Sequence, residues 1–296
     1  MSAKPFVKWA GGKSQLIPQL ENLFPVNLSS MKELTYVEPF VGGGAMLFHV
    51  LQKYGNISKA VINDINGNLI NAYMTVRDNP SGLVSQLKKM QDEYMGLKTL
   101  NDKESCYLNR RNEYNHSECD SLRKAALFIF LNKTCFNGLH RVNRKGGFNV
   151  PFGKSMSPKI CDSETIFADS ELLGKVEIMN GDFEKPFNAV GGNVFAYFDP
   201  PYRPLPKTNS FLAYTKGGFD ENEQRRLSEL CRKLDERGVK WFLSNSDPHN
   251  TDPEDMFFDK LFSGFEVLRV SASRMINSKG SGRGKITEIA VRNYGF

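Results

Sequence analysis

The sequence predicts an α/β protein with a mostly parallel sheet, an antiparallel edge hairpin and an inserted, mainly helical domain. Three observations predict it. Short runs rich in Val, Ile, Phe and Tyr alternate with helical patterns, which implies parallel strands with helices on both faces. Residues 80–135 carry helical patterns and no strand. The last two apolar runs are joined by a glycine-rich polar stretch, NSKGSGRGK (277–285), as in a hairpin. Candidate strands in chain order are 35–40, 59–65, 175–180, 193–198, 239–244, 265–272 and 285–294, each bounded by Gly, Pro, Asn or Asp. Helical patterns between them cover 14–23, 44–54, 66–77, 220–236 and 252–262. Within the insertion, helices are expected over 80–96, 103–115 and 121–133, followed by a glycine-punctuated loop or hairpin over 135–154. The insertion is drawn at 78–170, which leaves 1–77 and 171–296 as the α/β domain.

The chain has 296 residues, enough for one large domain with an insertion. No apolar run reaches the length of a membrane span, and the N-terminus lacks a signal-peptide core, so a soluble cytoplasmic protein is expected. Five cysteines without a CxxC pair argue against a disulfide framework and against a zinc site. The net charge is +6, and residues 121–160 hold eight Lys or Arg with no Asp or Glu. A solvated basic face explains many charge runs, but forty residues without an acid favour a polyanionic partner.

Four motifs carry chemistry. In YVEPFVGGGAMLF (36–48) a strand meets three glycines and then a helix. Glycines allow a sharp turn and a close approach to a ligand at a helix N-terminus, although a plain tight turn reads the same way. Asp64 ends the next strand, 20 residues after Gly44, where a Rossmann-like unit places an acid on ribose hydroxyls. Its bland role is a helix N-cap, which Asn66 could fill instead. Together these features favour an adenosine-containing cofactor without a pyrophosphate fingerprint. FVKWAGGKS (6–14) fails the P-loop pattern, because Val7 stands where a glycine is required. Trp9 and Lys13 either pack a surface turn or close one side of a cofactor pocket.

The fourth motif is NVFAYFDPPY (193–202), in which an apolar strand runs into Asp199, Pro200, Pro201 and Tyr202. Prolines stop the strand and hold the following backbone in one shape. The carboxylate and the Pro200 carbonyl can accept hydrogen bonds from one exocyclic amino group, and Tyr202 can stack on the ring that bears it. Acceptors set in advance stabilise the positive charge that grows on such a nitrogen as it attacks an electrophile.

In KWAGGK, EPFVGGGAMLF, INDIN, FNGLHRVNRKGGFNVPFG, GDF, DPPY and SGRGKITEIAV, in that order, the chain resembles the DNA adenine methyltransferases, enzymes that use S-adenosylmethionine, over nearly its whole length. The resemblance implies the class I methyltransferase sheet with a reversed edge strand. It places Trp9, Lys13, Phe40, Gly42, Asp64, Asp182, Phe183 and Asp199 at the cofactor, and Asp199, Pro200 and Tyr202 at the target base. It implies duplex DNA as partner, with a base flipped out of the stack, and calls for no protein partner. The segment over 136–151 would read the target, commonly GATC. Arg141 would contact guanine or else a phosphate, Leu139 and Pro151 would touch thymine, Phe136 would fill or flank the gap, and Asn137 would hold the backbone. The family often carries Tyr where Phe136 and His140 stand here. Lys279, Arg283 and Lys285 match a stretch that could meet phosphates.

Adenine N6 methylation is the reading these residues support. Cytosine-N4 methylation would use the same clamp, and transfer to RNA is a further alternative. A DNA-binding protein without catalysis would predict a damaged cofactor turn or a replaced Asp199, and both are intact.

Overall fold

The structure, a computed structural model, describes residues 2–188, 190–203, 219–273 and 285–295. Its strands are β1 Leu34–Glu38, β2 Ile57–Asp64, β3 Val176–Asn180, β4 Val194–Phe198, β5 Lys240–Ser246, β6 Glu266–Ser273 and β7 Lys285–Arg292. Its helices are α1 Ile17–Glu21, α2 Ala45–Lys53, α3 Gly67–Asp78, α4 Pro80–Gly96, α5 Leu100–His116, α6 Ser121–Thr134, α7 Ser163–Leu173, α8 Glu221–Glu236 and α9 Phe257–Leu261. All seven expected strands are present. Lys279 and Arg283, for which phosphate contact was expected, lie outside the described residues, as does the side chain of Lys285.

The strand order is β3-β2-β1-β4-β5-β7-β6. Strands β2 and β3, β1 and β4, and β4 and β5 pair in parallel. Strand β7 runs antiparallel to both β5 and β6. The reversed strand is therefore one in from the edge, and β6 is outermost. Burial explains that order. Ile289, Ala290 and Val291 of β7 are fully buried, whereas Glu266 and Arg269 of β6 are exposed, as suits a solvent-facing edge.

The chain divides into two compact units. The first comprises Met1–Ser14, Val41–Gly55 and Lys59–Lys185. Its centre is α6, in which every residue from Ala125 to Asn132 is buried. A helix apolar on all sides must be surrounded, and α3, α4 and α5 all pack on it. Asn79, Thr99 and Asp120 cap α4, α5 and α6 with side-chain oxygens, and α5 begins at Leu100, three residues before the expected start. Helix α7 is not foreseen from the sequence. Its buried positions include Thr165 and Asp169 among only a few apolar residues, so it lacks a clear apolar stripe.

The second unit comprises Gln15–Phe40, Asn56–Ser58 and Pro186–Phe296. All five residues of β4 are buried, as expected of a parallel strand covered on both faces. Helix α8 buries Gln224, Leu227, Ser228, Leu230, Cys231 and Leu234, one face at helical spacing, and Asp220 caps it. Helices α1 and α9 are shorter than expected. Pro18 stands at the start of α1. Before α9, Asp252 and Asp255 bind the backbone N–H groups of Glu254 and Phe257, forming turns where a helix was expected.

Candidate active site

The glycine turn between β1 and α2 is shaped by two aromatic side chains. Gly42 has φ +49° and Gly44 has φ +76°. A Cβ on Gly42 would lie 2.8 Å from Trp9 Cδ1, and one on Gly43 would lie 3.0 Å from Trp9 Cβ. At Gly44 a Cβ would meet the Tyr73 hydroxyl at 2.4 Å, and that hydroxyl donates to the Gly42 carbonyl at 3.0 Å. Gly42 and Gly44 are required for both steric and conformational reasons, and a Cβ on Gly43 would be tight against Trp9.

Asp64, at the end of β2, is tied to the same turn. Its Oδ2 accepts from Gly42 N at 3.1 Å and its Oδ1 from Asn66 N at 2.9 Å. Burial pushes its carboxyl up, opposed by the backbone N–H groups of Asn66, Gly42 and Ile65. The cap of α3 is Asn66, whose side chain accepts from Asn68 N and Leu69 N. Asp64 is thus relieved of capping. Lys13 is buried, with Nζ donating to the Gly11 carbonyl at 3.3 Å. After β3, Asp182 is exposed and accepts from Glu184 N at 2.9 Å, while Phe183 is buried.

These groups belong to the first unit. Phe40, Asp199, Pro200 and Tyr202 belong to the second. Phe40 is half-buried, edge-to-face with Phe219 at 5.4 Å. Asp199 leaves β4 half-buried and is followed by buried Pro200. Ser244 Oγ, on the neighbouring strand β5, donates to Asp199 Oδ1 at 3.4 Å. Gln224 Nε2 donates to the Pro201 carbonyl at 3.0 Å, and the Tyr202 hydroxyl donates to Glu288 Oε1 at 3.0 Å. The DPPY segment is therefore braced from α8 and β7 as well as by its own prolines.

The stretch 135–154 is irregular, and side chains from the helices supply its backbone partners. The Tyr107 hydroxyl donates to the Val150 carbonyl at 2.6 Å. Asn115 both donates to the Phe148 carbonyl and accepts from Phe148 N. Buried Asn132 donates to the carbonyls of Lys8 and Gly138 and accepts from Lys8 N. Phe136 N donates to the Pro151 carbonyl at 2.9 Å, which closes the base of the loop. Phe136, Asn137, Leu139, Arg141 and Pro151 are all exposed. An apolar Phe136 that is 50% exposed and an Asn137 at φ +54° are unusual in a tightly braced loop. The Arg141 guanidinium is held by Asn149, through Oδ1 at 2.8 Å and the carbonyl at 3.0 Å.

A family model for D12 class N6 adenine-specific DNA methyltransferases matches residues 9–276. The chain belongs to that family. It is 47% identical over 296 residues, 99% of its own length and 100% of the relative's, to the type II methyltransferase M.MjaIII of Methanocaldococcus jannaschii. It is 40% identical, over 100% of its length and 97% of the relative's, to the type II methyltransferase M1.LlaDCHI of Lactococcus lactis subsp. cremoris. The DNA adenine methylase of Escherichia coli K12 is 30% identical over 97% of this chain and 94% of that one. The protein is an adenine-specific DNA methyltransferase, which implies S-adenosylmethionine as methyl donor.

The methyltransferase uses fewer of its clustered cations at the surface than the sequence count implies. Arg123 pairs with Glu113 at 2.7 Å, Lys124 lies over the Tyr114 ring at 4.1 Å, and burial pushes Lys133 down to about 8. Arg141, Arg144, Lys145 and Lys154 are exposed. No helix among the described residues is long and apolar enough to cross a membrane.

Several groups of the methyltransferase were given no role at the site from the sequence. Glu38 ends β1, fully buried, and accepts from the Tyr36 hydroxyl at 2.8 Å. Burial pushes its carboxyl well above the ordinary range, and the Asp199 charge pushes the same way. Its position directly before Pro39 and Phe40 was the available signal. His140 stacks on Trp9 with 5.7 Å between ring centroids and 21° between planes, and Asn66 Nδ2 lies 3.4 Å from its Nδ1. The loop carrying Leu139 and Arg141 thus touches Trp9, which shapes the glycine turn. Ser244 lies in no motif, and Glu288 lies within SGRGKITEIAV (281–291) without having been assigned a role there.

Proposed function

We propose that this methyltransferase transfers a methyl group from S-adenosylmethionine to adenine N6 within GATC in duplex DNA, with the adenine flipped into a pocket formed by Asp199, Pro200 and Tyr202. The observation that carries this reading is the carboxylate at the end of β4, followed by rigid prolines and held by Ser244.

The first-unit residues fit such a cofactor. Asp64 takes hydrogen bonds from the backbone N–H groups of Gly42, Asn66 and Ile65. A carboxylate offers about four acceptor positions, so a ribose hydroxyl can still be accepted. Trp9, Lys13, Phe40, Gly42, Asp182 and Phe183 complete the proposed cofactor set. When bound, S-adenosylmethionine supplies an electrophilic methyl group on a sulfonium and departs as a neutral thioether.

The rest of the chemistry is done by the protein. Asp199 and the Pro200 carbonyl accept both hydrogens of the N6 amino group, which turns its lone pair out of conjugation. Positive charge grows on N6 as the new N–C bond forms, and the nearby carboxylate stabilises it. The surplus N6 proton then leaves to solvent. Tyr202 stacks on the purine, with its hydroxyl anchored on Glu288. The flipped base leaves a gap that exposed Phe136 is suited to fill or flank, and unstacking costs about a few kcal/mol that phosphate contacts must offset. Arg141 is assigned to guanine, since bidentate pairing with guanine suits its planar fork.

The test is methyl transfer from labelled S-adenosylmethionine to two duplexes, one with GATC and one with that site scrambled. Products are digested to nucleosides and separated. N6-methyladenine from the GATC duplex alone is expected. Equal labelling of both duplexes would remove GATC from the reading, and an active Asp199→Ala variant would remove the clamp.

A further inference from the structure

The buried ends of β4 and β5 carry hydroxyl groups where apolar side chains would pack at no polar cost. Tyr197 and Ser244 are 1% and 0% exposed. The Tyr197 hydroxyl lies 2.7 Å from Ser244 Oγ, and Ser244 Oγ donates to Asp199 Oδ1 at 3.4 Å. A serine hydroxyl has a single proton. With that proton on Asp199, the Tyr197 phenol must be the donor to Ser244. The result is a one-way chain of donation, from phenol to hydroxyl to carboxylate. Hydroxyls buried in a sheet core destabilise the fold unless each is satisfied, and here satisfaction is directed at Asp199.

We propose that Tyr197 and Ser244 are positioning residues for Asp199, holding its carboxylate oriented and in acceptor form for the amino group of the target adenine. The inference rests on the reading of Asp199 as the acceptor of that amino group.

The chemistry requires such a device. A protonated Asp199 would turn a donor toward an amino group that is itself a donor. A hydrogen bond donated to the ionised form favours that form. The charged and titratable groups around Asp199 come from several strands. Glu38 and Tyr36 on β1 and Tyr197 on β4 all interact with its charge. Glu288 on β7 interacts with Tyr197 and holds the Tyr202 hydroxyl. Burial keeps Glu38 toward its neutral form, so it adds little opposing charge beside Asp199. Burial likewise keeps the Tyr197 phenol protonated and able to donate.

The Tyr197 ring stacks on Phe242 at 6.1 Å and 17°, a contact that Tyr197→Phe retains. The experiment compares pH profiles of kcat for the full chain, Tyr197→Phe, Ser244→Ala, the double variant and Asp199→Ala, with S-adenosylmethionine and a duplex carrying the site. Each single variant is expected to lower kcat about three- to tenfold at neutral pH, the size of one lost hydrogen bond. KM for DNA is expected to stay constant and the acid limb to move to higher pH. The double variant is expected to be no worse than Ser244→Ala, because the phenol acts only through the serine. A wild-type kcat and acid limb in both single variants would overturn the chain, as would additive losses in the double. Melting temperatures recorded in parallel keep a folding defect apart, since a general loss of structure lowers them without moving the acid limb. An active Asp199→Ala would instead overturn the reading on which the chain rests. An inactive Asp199→Ala beside unaffected Tyr197→Phe and Ser244→Ala would overturn the chain alone.

Discussion

Gly42 N donates to Asp64 Oδ2 at 3.1 Å, so the glycine turn and the acid proposed to bind ribose are one hydrogen-bonded unit. Asp64→Asn keeps the shape but removes the charge. Loss of a charged acceptor costs about 1.5–3 kcal/mol, or roughly ten- to a hundredfold in affinity for S-adenosylmethionine. Calorimetric titration measures it. Unchanged affinity would remove Asp64 from the cofactor site.

Gly44→Ala is expected to destabilise the turn through two effects. A left-handed backbone costs an L-residue about 1–2 kcal/mol, and the new methyl would collide with the Tyr73 hydroxyl, 2.4 Å from its place. A fall of several degrees in melting temperature follows. Adding Tyr73→Phe removes the colliding oxygen, so the double variant should melt above Gly44→Ala alone.

Stability is expected to depend on pH through Asp169. This residue is fully buried, with Oδ1 accepting from Lys4 N at 3.0 Å and Oδ2 buried without a hydrogen-bond partner among the described residues. Burial pushes its carboxyl from 3.8 up to about 8, with the Asp162 charge assisting and Lys4 N, Lys4 and Lys133 opposing. The folded state therefore holds this proton between about pH 4 and pH 8 while the unfolded state has lost it. Its stabilising effect is complete below pH 4 and is lost as pH rises toward 8. Lys133 acts in the next window, since burial lowers it from 10.5 to about 8, and stability recovers as pH rises through that range. Melting temperatures of Asp169→Asn across pH 4 to 8 should be flatter than those of the parent, and higher at pH 8. Parallel curves would exclude Asp169 as the source.

Arg141→Ala separates base reading from phosphate contact. As a guanine contact, its loss costs about 1–3 kcal/mol of discrimination at one base pair. As a phosphate contact, its loss weakens all duplexes alike and makes the salt dependence shallower. Asn149→Ala, which removes the Oδ1 contact and keeps the backbone carbonyl contact to the guanidinium, should show a weaker form of the same pattern. Competition binding with single-base variants of the site reads both.

Much of this molecule was legible locally. Residues 193–202 announce a buried strand and a rigid stop, because β-branched and aromatic residues and prolines act within a few positions. The glycines at 42–44 announce a turn, and the starts of α4 and α6 were read where Asn79 and Asp120 cap them, whereas the start of α5 was read three residues late. Where a local signal was weak, as in α7 with its buried Asp169, the element went unread.

Contacts between distant segments were decided only by the folded chain. Strand β7 takes the place between β5 and β6 because its apolar residues need cover on both faces. Lys133, counted among cations available to DNA, is half-buried at the end of α6, where burial lowers it to about 8. Ser244 becomes a partner of Asp199 because β4 and β5 pair in parallel with Tyr197 opposite Phe242. Period and composition report what a residue does to its near neighbours. Which remote group it meets depends on the path of the chain, and burial makes that meeting matter by removing the water that would otherwise satisfy it.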